Sequence, residues 1–286
     1  MGDDAAIVSA PRGPMLLAAD AVVAGVHVDL DLVGLDDMGW KAIVANVSDV
    51  AAVGGRPCCA VVTVAGPLGQ IDFDLLYDGL TEAAAAYECP IVGGDLSSST
   101  TLVVSVAIVG EGGGEERAPV LRSGARSGDT LFVTGPLGSS AAGLELLRAG
   151  RASDAPDLAL AHRRPRARLD EGTAARVAGA SAMIDVSDGL ARDLRNLADA
   201  SGVGVVLDRV PVAIGVNRVS DDPESLALGG GEDYELLFAA PDPSVVEVTF
   251  AERGLGTPLR IGRCTDDRTE RRLRDADLPA LGWEHT

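Results

Sequence analysis

The sequence contains the pattern of an acid-bearing helix that is apolar or small-sided around nearly its whole circumference. Read at 100° per residue from Asp36, taken as the N-cap, the pattern predicts a helix that ends at the glycine pair 54–55. One face holds Asn46 and Asp49 among alanine and valine, and the other is apolar throughout. A helix of this kind is buried. Because an unpaired carboxylate is costly there, Asp49 is either satisfied by backbone N–H groups or an arginine, or it is a metal ligand.

The composition limits the size of the fold and the kind of partner. With 286 residues, 47% of them hydrophobic, the chain has room for about two domains and a sizeable core. Its formal net charge of -19 argues against nucleic acid or an anionic membrane as a direct partner. A protein this acidic can still bind phosphates when divalent cations lie between the two.

The cysteines and the lengths of the apolar runs indicate the cellular compartment in which the protein works. Cys58, Cys59, Cys89 and Cys264 form no CxxC pair and have no histidine at metal-ligand spacing. They are typical of reduced core thiols, which predicts a cytoplasmic protein. No apolar run is long enough to span a bilayer, and the start of the sequence lacks a signal-peptide pattern.

Strand and helix patterns are mixed on both sides of a segment rich in glycine and charge, residues 110–128. We place the domain boundary there, between residues 1–112 and 124–286. The sequence also predicts a strand at residues 5–8 and an exposed connection at 162–168. The expected fold class is therefore α/β (α+β), with two domains packed together.

Carboxylates recur where strands end and glycine turns begin, in both halves of the chain. They are Asp4, Asp20, Asp49, Asp95, Asp185, Asp188, Glu232 and Asp233. Each alone is more typical of a turn or a helix cap than of a ligand. Together they favour a site for hard cations such as Mg²⁺, because oxygen ligands without cysteine or histidine do not select Zn²⁺.

Familiar nucleotide-binding motifs are absent from the sequence. It has no GxxxxGK[ST], and residues 110–116 are a poor dinucleotide fingerprint because acids occupy the expected helix start. No GxSxG elbow appears, and three histidines are too few and too scattered for a triad. Gly138-Ser-Ser either caps the next helix or binds an anion on its free N–H groups, and the cap is slightly favoured.

Six motifs in this order resemble the thiamine-monophosphate kinase family, in the superfamily of aminoimidazole ribonucleotide synthetase and selenophosphate synthetase. They are Gly2-Asp3-Asp4, Asn46-Val-Ser-Asp49-Val-Ala-Ala-Val-Gly, Gly93-Gly94-Asp95, Leu121-Arg122-Ser-Gly-Ala-Arg-Ser-Gly-Asp129, Ile184-Asp185-Val-Ser-Asp188-Gly-Leu and Gly230-Gly-Glu232-Asp233-Tyr-Glu-Leu. The resemblance spans the whole chain, and the last two motifs favour the kinase. It implies a two-domain aminoimidazole-ribonucleotide-synthetase-like fold whose N-terminal domain dimerises by pairing sheets. It also implies ATP-dependent phosphorylation of thiamine monophosphate to thiamine diphosphate.

The resemblance further implies roles for single residues. Those matching magnesium ligands are Asp4, Asp20, Asp49, Asp95, Asp185 and Asp188, with Asp49 shared between ions. Those matching contacts to ATP are Gly94, Asp95, Arg122 and Ser187. Those matching positions around the thiamine phosphate are His27, Glu232 and Trp283. Several Mg²⁺ ions, ATP as co-substrate and a homodimer are therefore expected.

The chemistry of this reaction agrees with many acids and no evident base. Both substrates carry phosphate, and each pair of unit charges at 4 Å costs ~4 kcal/mol at an effective dielectric constant near 20. Divalent cations held by carboxylates cancel that repulsion and align the reacting groups. The attacking phosphate oxygen loses its last proton with a pKa of about 6, so it needs no general base at neutral pH.

Two departures from the family pattern bear on activity. Ala18 and Ala19 precede Asp20 where the family has hydroxyl residues, so side-chain oxygens are lost there. The family segment ahead of Gly2-Asp3-Asp4 is absent. Two alternatives therefore stay open. One is another ATP-dependent synthase of the superfamily, of the selenophosphate or aminoimidazole ribonucleotide type, and the other is a catalytically weakened nucleotide-binding homologue.

Overall fold

The computed structural model describes residues 5–11, 13–67, 69–113 and 117–283. The N-terminal half forms a four-stranded sheet with two helices on one face. Its elements are β1 (Met15–Val23), α1 (Leu35–Ala52), β2 (Arg56–Gly66), α2 (Phe73–Ala86), β3 (Ile91–Ser98) and β4 (Val103–Glu111). The strand order is β1-β4-β2-β3, with β2 and β3 parallel and the other neighbours antiparallel.

The C-terminal half is built on a seven-stranded sheet. Its elements are β5 (Thr130–Val133), α3 (Ser139–Arg148), α4 (Pro156–Arg163), α5 (Leu169–Ala178), β6 (Ala182–Val186), α6 (Leu190–Ser201), β7 (Gly204–Leu207), α7 (Pro223–Gly229), β8 (Glu235–Ala240), α8 (Pro243–Glu252), β9 (Leu259–Thr265), β10 (Arg271–Leu273) and β11 (Ala276–Asp277). The strand order is β11-β10-β7-β9-β5-β8-β6. Strands and helices are thus mixed in both halves, as the sequence predicts.

Helix α1 joins the two halves. Its apolar side chains Ile43 and Val47 are fully buried, in one continuous core with Leu236 and Phe238 of β8. Burying each such side chain contributes about 1.5–3 kcal/mol. A helix covered on both sides needs apolar or small residues nearly all round, which is the pattern seen in its sequence.

Two glycines let α2 pack closely on α1. A Cβ on Gly79 would lie 1.7 Å from the carbonyl oxygen of Asp36, and one on Gly39 would lie 2.3 Å from that of Leu76. Neither distance can be relieved by rotating a side chain, because both contacts are with backbone. The close crossing of these helices therefore depends on both glycines.

The predicted helix end is confirmed, but the predicted start is wrong by two residues. Helix α1 ends at Ala52, and Gly54 adopts the left-handed conformation (φ +72°) that glycine favours. Its N-cap is Gly34 without a side-chain hydrogen bond, whereas Asp36 lies in the first turn. Asp36 Oδ2 instead accepts a bond from Arg164 Nη2 at 2.8 Å. This tertiary contact could not be seen in the local pattern.

Two other predictions about local structure are wrong, the strand at residues 5–8 and the exposed connection that begins at residue 162, and two helices were not predicted. Residues 5–8 form no strand and are exposed. The sequence pattern did not indicate helices α4 and α7, each of which begins at a proline. His162 therefore lies in α4, where it is 5% exposed, and not in an exposed connection. Within the described ranges, no helix is long and apolar enough to cross a membrane.

Candidate functional site

A cavity of about 270 Å³ lies where β1, α1 and β6 meet. Its walls come from both halves of the chain, since Asp49 belongs to α1, Asp185 to β6 and Arg122 to the segment between the two sheets. Ala18 of β1 also lines it. The structure thus brings together three residues that the sequence singled out from distant positions.

The carboxylates of this cleft repel one another. Burial, together with the nearby carboxylates of Asp185 and Asp20 and against the opposing charge of Arg122, raises the pKa of Asp49 to about 7. Burial likewise raises the pKa of Asp185 to about 6. Three acids that share such a place favour either bound protons or a bound cation.

Helix α1 fixes the two strands that carry Asp20 and Asp185. Asp20 lies inside β1 and not, as the sequence predicted, at its end, because the strand continues to Val23. Asn46 Oδ1 accepts a bond from the backbone N–H of Asp20 at 2.9 Å, and its Nδ2 donates to the Ala42 carbonyl at 3.0 Å. Ser48 Oγ donates to Asp185 Oδ2 at 2.8 Å. Asn46 and Ser48 therefore orient the strands of both halves around Asp49.

The turn between β6 and α6 places the next acid. The backbone N–H of Asp188 donates to Asp193 Oδ2 at 3.0 Å, and Gly189 adopts φ +106° between them. Asp193 is 2% exposed, and its pKa is raised to about 7 by burial, with Asp185 and Asp188 adding to the effect. Sequence reasoning missed Asp193, although an acid in the first turn of a helix is a typical partner for free N–H groups.

Asp95 does not lie with this group within one chain. Its β-sheet partner is Thr63, which pairs with Ser105, and these residues share the outer face of the sheet. Asp20 pairs with the fully buried Val106 and so faces the opposite side, which carries the helices, although Asp20 itself is exposed. Strands β1 and β3 are moreover the two edges of this sheet. Asp95 Oδ2 accepts a bond from Ser97 Oγ at 2.8 Å.

The other predicted site residues are distributed as follows. Asp4 lies outside the described residues. A Cβ on Gly94 would lie 1.8 Å from the Val62 carbonyl oxygen, so this glycine allows β3 to approach β2. His27 Nδ1 accepts a bond from the backbone N–H of Val23 at 3.1 Å, within the turn after β1.

The predicted substrate-side acid, Glu232, lies in residues 232–234, a strained segment before β8 that we call the strained corner. Glu232 and Tyr234 adopt φ +64° and φ +50°, values that cost non-glycine residues about 1–3 kcal/mol each. Between them, Asp233 accepts bonds from the backbone N–H groups of Gly138 at 2.6 Å and Ser140 at 3.1 Å. The N-terminus of α3 is therefore satisfied by this chain's own carboxylate. Gly138 occupies the N-cap position, as slightly favoured from sequence, but no side chain of Gly138-Ser-Ser makes the cap hydrogen bond. Asp233 accepts the N–H groups that an external anion would need.

Four of the predicted residues lie at or around the β6–α6 turn. The Ser187 carbonyl accepts a bond from the backbone N–H of Glu232 at 2.8 Å, and the Asp188 carbonyl accepts one from Trp283 at 2.9 Å. Trp283 is 47% exposed, so its ring is available to stack on a ligand. Glu232 and Trp283, 51 positions apart in the sequence, thus both bond to the turn that carries Asp188.

Among the residues that the structure describes, no three histidine, cysteine, aspartate or glutamate side chains form a ready-made metal site. The acids of the cleft are close enough to repel but not arranged to saturate a cation. Any cation held here would need further oxygen atoms from a ligand, as Mg²⁺ bound to substrate phosphates does.

Known proteins share both the sequence and the fold. The family models AIR synthase related protein, N-terminal domain, and AIR synthase related protein, C-terminal domain, match residues 2–111 and 126–274. Thiamine-monophosphate kinase of Mycobacterium tuberculosis (strain ATCC 25618 / H37Rv) is 42% identical over 254 residues, covering 85% of this chain and 75% of that protein.

Solved structures agree with this similarity. Thiamine-monophosphate kinase from Stenotrophomonas maltophilia K279a aligns with a TM-score of 0.86 at 30% identity, over 97% of this chain and 90% of that chain. AaThiL complexed with AMPPCP and TMP aligns with a TM-score of 0.83 at 35% identity, over 100% and 92%. The two-sheet architecture, the cleft acids and these similarities together show that the chain belongs to the thiamine-monophosphate kinase family of AIR synthase related proteins.

Proposed function

We propose that this protein transfers the γ-phosphoryl group of ATP to thiamine monophosphate, giving thiamine diphosphate and ADP. The observation that carries the proposal is the meeting of Asp49, Asp185 and Arg122 in one cleft between the two halves. It is supported by relatives named thiamine-monophosphate kinase and by the likeness to AaThiL complexed with AMPPCP and TMP. The protein is then a kinase of thiamine diphosphate biosynthesis.

The donor set of the cleft fits magnesium. Asp20, Asp49 and Asp185 offer only oxygen, and their mutual repulsion is what a divalent cation would relieve. We propose that these residues hold several Mg²⁺ ions together with Asp188 and Asp4. Bound Mg²⁺ would screen the phosphate charges of both substrates and favour in-line transfer.

The chain's own groups act by charge and position. Asp49 has to release its proton before it can serve a cation, since its pKa is raised to about 7. Arg122 adds a positive charge to the same cleft, which suits the phosphates of ATP. No side chain is needed as general base, because the acceptor phosphate is already ionised at neutral pH.

We assign the nucleotide side to Gly94, Asp95, Arg122 and Ser187, and the thiamine side to His27, Glu232 and Trp283. Arg122 lines the cleft, and Ser187 bonds to Glu232 beside it. The exposed ring of Trp283 and the carboxylate of Glu232 suit a ligand that is both aromatic and cationic.

Asp95 needs a second copy of the chain to reach this cleft. The outer face of the four-stranded sheet is formed mainly by small and apolar residues, with Leu17 71% and Val61 45% exposed. Apolar faces of this kind mark association surfaces. We propose a homodimer in which two such faces pack and the edge strands pair. Asp95 of the partner subunit would then lie beside β1.

We propose two domains and a cytoplasmic location for this protein. Residues 1–112 would form the ATP-binding and dimerising domain, and residues 124–286 the domain that completes the substrate site. A cytoplasmic location suits an enzyme that uses ATP, and it suits the four cysteines, which are all free thiols.

One observation keeps a second candidate open, namely a nucleotide-binding homologue with weakened catalysis. Ala18 lines the cleft and presents no side-chain oxygen to a cation. The deciding experiment incubates the purified protein with ATP, Mg²⁺ and thiamine monophosphate and measures thiamine diphosphate and ADP. Stoichiometric formation of both products supports the kinase. Calorimetric binding of ATP and Mg²⁺ without turnover would instead support the second candidate.

A further inference from the structure

Lys41 is the only lysine of the sequence, and every other strongly basic residue is an arginine. It lies in α1 and is 1% exposed. Its Nζ donates to Glu232 Oε2 at 2.9 Å, which links the N-terminal half to the strained corner of the C-terminal half. A buried ammonium is unfavourable unless a carboxylate accepts its hydrogen bonds. The pair therefore depends on the exact position of Glu232.

The carboxylate of Glu232 extends from the interior to the open side of the molecule. Its side chain is 27% exposed, whereas that of Lys41 is 2% exposed. The left-handed backbone at Glu232 and the anchoring of the next residue, Asp233, on the N-terminus of α3 fix where the side chain starts. The hydrogen bond from Lys41 then fixes the position of Glu232 Oε2.

His162 approaches the same oxygen but adds no charge. Its Nδ1 lies 3.5 Å from Glu232 Oε2 and 3.1 Å from Ser140 Oγ. Burial and the nearby charge of Lys41 lower the pKa of His162 to about 3, so the imidazole is neutral at physiological pH. Within the described part of the chain, Lys41 is the cation that holds Oε2, and Oε1 accepts no hydrogen bond.

We propose that Lys41 is a positioning residue that makes Glu232 an acceptor-only contact for the amino group of the thiamine pyrimidine ring. The inference rests on the proposed function and deepens it. With Oε2 occupied by Lys41, Oε1 accepts a hydrogen bond from a ligand N–H. An analogue with a carbonyl oxygen at that position would set two acceptors against each other. The pair therefore selects an aminopyrimidine over an oxopyrimidine.

The test compares thiamine monophosphate with oxythiamine monophosphate, in which a carbonyl replaces the amino group. For the wild type we expect kcat/KM to favour the amino substrate by about 10²-fold or more. Lys41→Met, which keeps length but loses charge, should raise KM for thiamine monophosphate about tenfold and reduce the preference about tenfold, with KM for ATP nearly unchanged. Arg260→Met is the matched control, because it removes an exposed cation paired with Glu247. The preference of Arg260→Met for the amino substrate over the oxo analogue should equal that of the wild type.

A second measurement needs no variant. Because the chain has one lysine, ¹⁵N-lysine labelling gives one side-chain amine signal. Saturation with thiamine monophosphate should shift that signal, and the oxo analogue at the same concentration should not. A lysine signal unmoved at saturation, or a Lys41→Met enzyme with the wild-type preference, overturns the proposal. Wild-type protein that neither binds nor converts thiamine monophosphate overturns the proposed function as well, so the two failures are distinguishable.

Discussion

The hydroxyl of Ser48 donates a hydrogen bond of 2.8 Å to Oδ2 of Asp185, across the boundary between the two halves of the molecule. Ser48 is fully buried and Asp185 is 6% exposed, so water does not compete for this bond. The next residue of the helix, Asp49, lines the cleft. One turn of α1 thus carries Asp49, a proposed cation ligand, and Ser48, which orients a second proposed ligand, Asp185.

Removing the hydroxyl of Ser48 tests what its hydrogen bond to Asp185 contributes. Ser48→Ala leaves the buried carboxylate of Asp185 without its side-chain donor, which should cost about 1–3 kcal/mol of unfolding free energy. The Mg²⁺ concentration for half-maximal activity should rise, because Asp185 loses its fixed orientation. Urea unfolding and a Mg²⁺ titration of the kinase reaction measure the two effects. Ser97→Ala removes an exposed hydroxyl that donates to Asp95 and serves as the stability control.

The raised pKa of Asp49 predicts how stability depends on pH without divalent cations. Between pH 3.8 and about 7 the folded protein retains a proton that the unfolded chain has lost. The contribution of this group is therefore fully present below pH 3.8 and is lost as the pH rises through 7. Asp49→Asn removes the buried charge, so it should be more stable than the wild type by about 1–3 kcal/mol at pH 8. Denaturant unfolding at pH 8 and pH 4 measures the difference, which should shrink at pH 4.

The same variant separates stability from function. Asp49→Asn should lose most of the thermal stabilisation that Mg²⁺ and ATP give the wild type, and its kcat should fall by orders of magnitude. Melting curves with and without both ligands, read beside single-turnover rates, provide the comparison. Full ligand stabilisation together with wild-type turnover would show that Asp49 is not a cation ligand.

Arg164 lies between α4 and α5 and binds this segment to the N-terminal half. Its guanidinium donates to Asp37 at 2.5 Å, Glu82 at 2.6 Å and Asp36 at 2.8 Å, and it lies 5.5 Å from the centre of the Trp40 ring. Arg164→Met should lower the unfolding free energy by about 1–2 kcal/mol, discounted because the side chain is partly exposed. The loss should shrink in 1 M NaCl, which thermal unfolding at two salt concentrations would reveal. An equal loss at both salt concentrations would assign the effect to packing on Trp40.

The sequence was sufficient for the main elements and for the acids of the cleft, because both leave local patterns. The all-round apolar helix α1 and the acid at the end of β6 needed no tertiary information to be noticed. The first turn of α1 was misassigned because Asp36 serves Arg164, which lies 128 positions away. Lys41 was missed for the same reason, since its buried ion pair with Glu232 of the other half has no local signature. Asp193 was missed although its contact is local, because its carboxylate accepts the backbone N–H of Asp188 at the start of α6. The separation of Asp95 from the other acids follows from strand order, which periodicity does not determine.

The proposed homodimer places Ala107 in its interface and Asp95 at the nucleotide site of the partner subunit. Ala107 of the central strand β4 pairs with Ala19 on one side and Val61 on the other, in the middle of the apolar outer face. An arginine there would have to be buried without a partner on dimerisation, so Ala107→Arg should give a folded monomer. Light scattering after size exclusion measures the mass, and circular dichroism checks the fold. If the partner subunit's Asp95 completes the nucleotide site, the monomer should also bind ATP and Mg²⁺ at least tenfold more weakly. Asp95→Asn, which adds no charge to the outer face, should show the same weak binding as a dimer. A monomer with wild-type ATP affinity would confine the site to one chain and leave Asp95 without a role in it.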